Sequence, residues 1–199
     1  SVCGDCDRPG IYELPYGISV TELMQMAGAQ DVAAIQVGGP SGQLIGRDAF
    51  HRKICFEDLA TGGSIMMFSS KRNVLEIVDY FMDFFIEESC GFCTPCRVGN
   101  VFLKERIGKI RKGHAVPDDI DYLKELSNTI IKTSRCGLGQ TSPNPVLSSI
   151  ANFPLIFSAL IKENEDGFES NFDIQSALEE SRRIAKHRSY IYDPDFADE

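Results

Sequence analysis

Apolar side chains recur most densely between residues 71 and 88. Val74, Leu75, Ile77, Val78, Phe81, Met82, Phe84, Phe85 and Ile86 cover more than one stripe, which predicts a helix buried on two sides. Val98 to Lys112 reads as a second helix with Val101, Phe102 and Ile110 inside; Lys109, Arg111 and Lys112 suit its negative end, and Gly113 stops it. A third helix starts at Pro117, with Asp118 and Asp119 at its positive end and Ile120, Leu123, Leu126 and Ile130 on one face. Pro143-Asn-Pro145 opens a further helical stretch through Val146, Leu147 and Ile150, which Pro154 interrupts before Leu155 to Ile161. Together these segments predict a small helical bundle.

Residues 1–70 follow a different rhythm. Ile11-Tyr-Glu-Leu-Pro alternates like a strand, and Val32 to Val37 and Ile65 to Phe68 read as further strands. Between them, Ser19 predicts a helix N-cap, Glu22 completes a capping box, Val20, Leu23, Met24 and Ala27 face inward, and Gly28 is the stop. Gly38-Gly39-Pro40-Ser41-Gly42 lacks the Lys-Ser/Thr ending of a P-loop and the full dinucleotide fingerprint, so it reads as a turn. Beyond Asn164 the chain turns polar. Asp173 to His187 predicts an exposed helix with Ile174, Leu178 and Ile184 on one side, the basic run 182–188 reads as its solvated end, and residues 193–199 as a frayed tail. The predicted class is α+β, divided into residues 1–70, 71–163 and 164–199.

Composition narrows the function classes. A net charge of −9 argues against nucleic acid, whose phosphates repel an acidic chain. The most apolar run, Val74 to Ile86, is broken by Glu76, Asp79 and Asp83, so no membrane insertion is expected. Ser1-Val-Cys-Gly-Asp-Cys has neither the basic nor the apolar region of a signal peptide and no initiator Met, which suggests a chain processed or excised from something longer. Free thiols suit a cytoplasmic location.

The chemistry concentrates in the cysteines. Three of the seven, Cys90, Cys93 and Cys96, fall at C-x2-C-x2-C spacing, and Cys136 follows in Ser134-Arg-Cys-Gly-Leu-Gly139. One tight loop with three thiolates and a fourth from a distant segment is a common way to hold a [4Fe–4S] cubane, because its iron favours soft anionic sulfur. Zinc is the rival: it usually takes two separated C-x2-C pairs or Cys/His pairs. Here only a triplet and a singlet exist, and His114 lies outside both loops. Disulfides fit less well, given an odd count and three crowded thiols. Gly91, Gly137 and Gly139 would let backbone N–H groups approach cluster sulfurs. Arg97 and Arg135 adjoin two ligands, where a cation would favour the reduced cluster or else face a partner. Cys3 and Cys6 point to opposite faces if residues 1–6 form a strand, and Cys55 reads as a small core residue. No nucleophile–base set is visible: His51, His114 and His187 lie in separate segments, and the adjacent Glu87 and Glu88 share no helix face.

Glu88-Ser-Cys-Gly-Phe-Cys-Thr-Pro-Cys-Arg97, with Cys136-Gly-Leu-Gly-Gln-Thr-Ser-Pro-Asn-Pro145 downstream, resembles the cluster-binding region of one family: the flavin- and NAD-binding subunit of respiratory complex I and its relatives in NAD-reducing hydrogenases and NAD-linked formate dehydrogenases. Arg97-Val-Gly-Asn100, Ser134 to Gly139 and Phe153-Pro154 look most like the diaphorase subunit of NAD-reducing nickel–iron hydrogenases, and the likeness covers about residues 1–160. The resemblance implies a ubiquitin-like, soluble-ligand-binding β-grasp domain over residues 1–70. It also implies a [4Fe–4S] cluster on Cys90, Cys93, Cys96 and Cys136 that relays electrons next to FMN. Family members bind FMN and NAD in a Rossmann-like region with Gly-rich loops, which has no counterpart here. The chain is then a fragment or a split subunit. Its expected partners are a flavin- and NAD-binding portion, a thioredoxin-like [2Fe–2S] subunit, and further iron–sulfur, hydrogenase or dehydrogenase subunits. Two alternatives stand: a zinc-stabilised docking scaffold without redox activity, and a standalone β-grasp ligand-binding protein.

Overall fold

A computed structural model describes residues 1–161 and 183–184. The predicted features of residues 164–199 lie outside the described residues, apart from Arg183 and Ile184, which are helical and exposed. Residues Ser1–Glu163 form one compact unit. Its architecture is mixed α+β: strands β1 (Val2–Gly4), β2 (Val32–Val37), β3 (Gln43–Gly46) and β4 (Ile65–Ser69), and helices α1 (Val20–Ala27), α2 (Val74–Glu88), α3 (Thr94–Arg111), α4 (Asp118–Thr133), α5 (Gly137–Thr141), α6 (Asn144–Asn152) and α7 (Pro154–Leu160).

The sheet runs in the order β1-β4-β2-β3, with β1 parallel to β4 and the other pairs antiparallel. Each face buries a different core. Ile35, Val37, Ile45, Ile65 and Met67 pack with Leu23 and Ala27 of α1. Ala34 and Leu44 pack with Leu75, Val78 and Met82 of α2, Leu103 of α3 and Val146 of α6. Val32 joins Ile35 on the α1 side, although three positions should place them on opposite faces; an irregular register between Val32 and Ala34 resets the alternation. Edge strand β3 is covered by α6. Ser148 Oγ accepts from the Leu44 N–H at 3.0 Å, and Asn152 Nδ2 donates to the Leu44 carbonyl at 2.9 Å, so side chains replace the missing neighbour strand.

Helix α1 forms as its sequence predicts: Ser19 caps it in a complete capping box, and Gly28 takes the left-handed conformation that ends it, φ 68°. Other expectations need correcting. Residues 11–15 form no strand; only Gly10 makes one antiparallel bridge, to Val2, and Ile11 is 91% exposed. The Gly-rich stretch 38–42 is a turn, as its sequence predicts, but it leads into β3, a strand that the hydrophobic pattern does not predict. Helix α2 buries one stripe, Val74, Leu75, Val78, Phe81, Met82 and Phe85, while Tyr80 and Phe84 face solvent. Helix α3 begins at Thr94, four residues earlier than predicted, with Pro95 in its first turn. Its inner face is therefore Cys96, Gly99, Asn100, Leu103, Ile107 and Ile110, and Phe102 lies outside. Cys55 is half-buried beside a surface cavity, not in the core. β1 ends at Gly4, where the chain turns back, and burial followed by the nearby Cys3 pushes the Cys6 thiol up.

Helices α3 and α4 form a hairpin that packs tightly at Gly99. A Cβ there would lie 2.7 Å from both Cδ1 and Cγ1 of the fully buried Ile130. At the opposite end, buried Asp119 receives the Val116 N–H at 2.9 Å, Lys109 Nζ at 2.9 Å, and Arg106. Burial pushes the Asp119 carboxyl up, but the hydrogen bonds from Lys109, Val116 and Arg106 outweigh it and hold the carboxyl below its usual range.

Gly99→Ala should destabilise the protein by about 1–3 kcal/mol through overpacking, although helix propensity alone predicts stabilisation of about 1 kcal/mol. Urea unfolding decides the sign. The Asp119 contribution should be present above the unfolded carboxylate value of about 3.9 and fade as pH falls through the lower folded value. The stability gap between wild type and Asp119→Asn, measured by acid titration of circular dichroism, should therefore be widest above pH ~5 and close at lower pH. At neutral pH, Asp119→Ala should cost about 1–3 kcal/mol, because the Val116 N–H loses its acceptor while Arg106 and Lys109, each about a third exposed, can turn to solvent.

Candidate functional site

The four predicted cysteines meet at one end of the helical bundle. The C-terminus of α2 delivers Ser89 and Cys90, the first turn of α3 carries Cys93 as N-cap and Cys96, and α4 ends at Ser134 just before Cys136, the N-cap of α5. Together with Glu88, Leu138 and Gly139 they line a cavity of about 90 Å³. Cys96 is buried, Cys93 half-buried, and Cys90 and Cys136 exposed, so the cavity has an inner and an outer edge. Two of the four sulfur-bearing residues stand where α3 presents the positive end of its dipole.

The cysteine loop is tied from both sides. Ser89 Oγ accepts from the Gly91 N–H at 3.3 Å, and Arg97 Nη1 donates to the Gly91 carbonyl. Gly91 itself is left-handed, φ 77°. Arg135 stacks over the Phe92 ring, 5.1 Å to its centroid, and thereby links the Cys136 segment to the triplet. Both arginines singled out in the sequence thus hold the loop together. Gly139 is a close-approach position: a Cβ would lie 2.5 Å from Ser134 Oγ and 3.2 Å from Cys96 Cβ. At Gly137 a Cβ would meet nothing within 4 Å.

Sequence reasoning missed the polar groups behind the sulfurs. Ser89 Oγ lies 3.5 Å from Cys96 Sγ, and Asn100 Nδ2 lies 3.6 Å from it. Asn100 Oδ1 in turn accepts from Ser142 Oγ at 2.7 Å. Ser134 Oγ, buried at the cavity wall, has no hydrogen-bond partner among the described residues. The signal for Asn100 was its spacing: four residues after Cys96 puts both on one face of a helix that starts at Thr94.

This donor set fits an iron–sulfur cluster better than a single ion. A tetrahedral zinc with Zn–S bonds of about 2.3 Å needs its sulfurs within about 3.8 Å of one another. Among the described residues, no three Cys, His, Asp or Glu side chains group closely enough to hold one ion. Four thiols spread around a cavity, one for each iron of a cubane, suit a body with its own volume. The partnerless Ser134 hydroxyl is also a donor that cluster sulfur would satisfy. Cys3, Cys6 and Cys55 lie in the strand-bearing part of the chain and do not line this cavity.

Residues 76–160 match the family described as the NADH-ubiquinone oxidoreductase-F iron–sulfur binding region. The chain is 42% identical over 180 residues to the NAD-reducing hydrogenase HoxS subunit alpha of Cupriavidus necator, covering 89% of this chain and 30% of that protein. It is 35% identical over 177 residues to the NADP-reducing hydrogenase subunit HndC of Solidesulfovibrio fructosivorans, covering 83% and 36%. Against an NADH-quinone oxidoreductase subunit of Mycobacterium bovis it is 32% identical over 163 residues, covering 77% and 37%. A solved NAD+-reducing [NiFe]-hydrogenase in the H2-reduced state superposes with TM-score 0.78 at 34% identity, covering 98% of this chain and 34% of that one. The resemblance read from the cysteine motif is borne out, over the C-terminal part of those proteins. The chain spans about a third of the length of these relatives. Among the described residues no helix is long and apolar enough to cross a membrane.

In the cluster-free protein, Gly139→Ala should loosen the packing at Cys96 and raise its labelling rate by a water-soluble thiol reagent about tenfold, the opening equivalent of the overpacking. Gly137→Ala, which meets open space, should leave that rate unchanged. Mass spectrometry of the Cys96 peptide distinguishes the two.

Proposed function

We propose, on the premise that residues 76–160 belong to the family of NADH-ubiquinone oxidoreductase-F iron–sulfur binding regions, that this chain is the electron-relay part of an NAD(H)-linked oxidoreductase. Cys90, Cys93, Cys96 and Cys136 would hold a [4Fe–4S] cluster, which supplies one-electron exchange when bound. The observation that carries the reading is the convergence of these four thiols on one cavity, three from a single loop and one from beyond the α3–α4 hairpin.

The chain's own residues have separable parts in this work. The α2 and α3 ends fix three sulfurs, and the α3–α4 hairpin returns the fourth. Half-buried Leu138 and the buried Ser134 and Gly139 keep water from the inner edge beside Cys96. The exposed Cys90 and Cys136 mark the edge through which electrons would pass to a neighbouring centre. Residues 1–70 we read as a β-grasp element. A parallel pairing of the first and last strands, one helix crossing between them, and an antiparallel neighbour support this, with the Val2–Gly10 bridge standing for a reduced second strand.

Within that class we read the chain as part of the diaphorase of an NAD-reducing hydrogenase. That reading rests on the 42% identity to a hydrogenase subunit, against 32% to a quinone-linked one. Its partners would be a flavin- and NAD-binding portion or subunit, a [2Fe–2S] subunit, and further iron–sulfur and hydrogenase subunits; FMN and NAD would bind there. Seven unpaired thiols support a reducing, cytoplasmic setting.

Anaerobic reconstitution should give about four irons and four sulfides per chain and, on reduction, a one-electron EPR signal. Cys136→Ser should abolish or convert that signal. One tightly held zinc and no signal would establish the scaffold reading in its place.

A further inference from the structure

Among the four candidate ligands, Cys96 stands apart. It is the buried one, and two side-chain donors face its sulfur; among the described residues the other three have none within hydrogen-bonding distance. One of these donors is Asn100, itself fully buried in the inner face of α3. An amide has one donating end and one accepting end. A thiolate only accepts, so the NH2 must face Cys96 Sγ at 3.6 Å and the carbonyl must face Ser142. Ser142 Oγ, also fully buried, lies 2.7 Å from Asn100 Oδ1 and 3.1 Å from the Gly139 carbonyl. A hydroxyl has one proton, and the shorter contact to Oδ1 commits it to the amide. Ser142 thus locks Asn100 in the orientation that points a donor at sulfur.

We propose that Asn100, locked by Ser142, is a positioning residue that raises the reduction potential of the bound cluster through Cys96. The inference rests on the reading of Cys90, Cys93, Cys96 and Cys136 as cluster ligands. Reduction adds negative charge that spreads onto the sulfurs, and a hydrogen bond strengthens as its acceptor becomes more anionic. The bond therefore favours the reduced state more than the oxidised one. Burial removes competing water and enlarges the effect. The second donor, Ser89, is placed to add to it: its oxygen accepts from the Gly91 N–H, which frees its proton for Cys96.

The test is an EPR-monitored redox titration of the anaerobically reconstituted chain. Asn100→Leu keeps the approximate volume and removes the donor. It should shift the one-electron reduction equilibrium about tenfold toward the oxidised form, a midpoint lower by about 59 mV. Ser142→Ala, which frees the amide to turn, should shift it in the same direction by less, and Ser142→Thr, which keeps the hydroxyl, should restore the wild-type value. Iron content is measured in every sample. If Asn100→Leu fails to hold iron, the Ser142 pair decides. Full iron with an unchanged midpoint in Ser142→Ala and in any iron-loaded Asn100→Leu overturns the inference and leaves the relay reading intact. Failure of the wild type to hold iron overturns the reading beneath it.

Discussion

The crossing of α3 and α4 at Gly99 and Ile130 is the constraint on which the candidate site depends. Only a residue without a side chain lets Ile130 reach the α3 backbone there. From Ile130 the chain soon reaches Ser134, and Ser134 in turn presses on Gly139, whose backbone abuts Cys96. The separation of the helices is thus passed along a short, stiff chain of contacts to the distance between Cys96 and Cys136. Packing of this kind tolerates little change in volume. A site built on it inherits its rigidity from the apolar core and needs no rigidity in the loop itself.

The sheet contributes by standing behind the bundle. One face serves α1, and the other supplies Ala34 and Leu44 to the same core that seats α2, α3 and α6. Side chains of α6 close the β3 edge at Leu44, and Asn144 donates to the Ser41 carbonyl at 2.7 Å. Strands and helices in residues 1–161 therefore share a core, and the helix that delivers Cys90 is packed directly on the sheet.

Much of this was legible in the chain. The Ser19–Glu22 box and Gly28 bracket α1 because caps are local chemistry. The cysteine spacing announced the candidate site because three of its four thiols sit within seven residues. What stayed hidden depends on tertiary contact. Ile11 to Pro15 alternates like a strand but has no neighbour beyond the single Gly10 bridge, so its pattern is unfulfilled. β3 is short, and its edge is completed by helix side chains that no strand rule anticipates. The start of α3 was masked because Cys93-Thr-Pro-Cys96 reads first as a ligand loop; only with the helix begun at Thr94 does Asn100 fall on the face of Cys96. Ser142 and Ser134 were illegible, since nothing local distinguishes a serine that meets a distant amide from any other.

The uneven reach of the four thiols bears on the order of assembly. Cys90, Cys93 and Cys96 are neighbours in any conformation, whereas bringing Cys136 to them closes a loop that spans the whole of α3 and α4. In a flexible chain of that length the closure costs roughly 3 kcal/mol in entropy. Here the antiparallel α3–α4 hairpin has already met it, so a polypeptide folded around its apolar core would offer metal a nearly finished receptacle. Insertion of iron and sulfide can then follow folding as a late maturation step, in contrast to small zinc modules in which the metal itself drives the chain to fold.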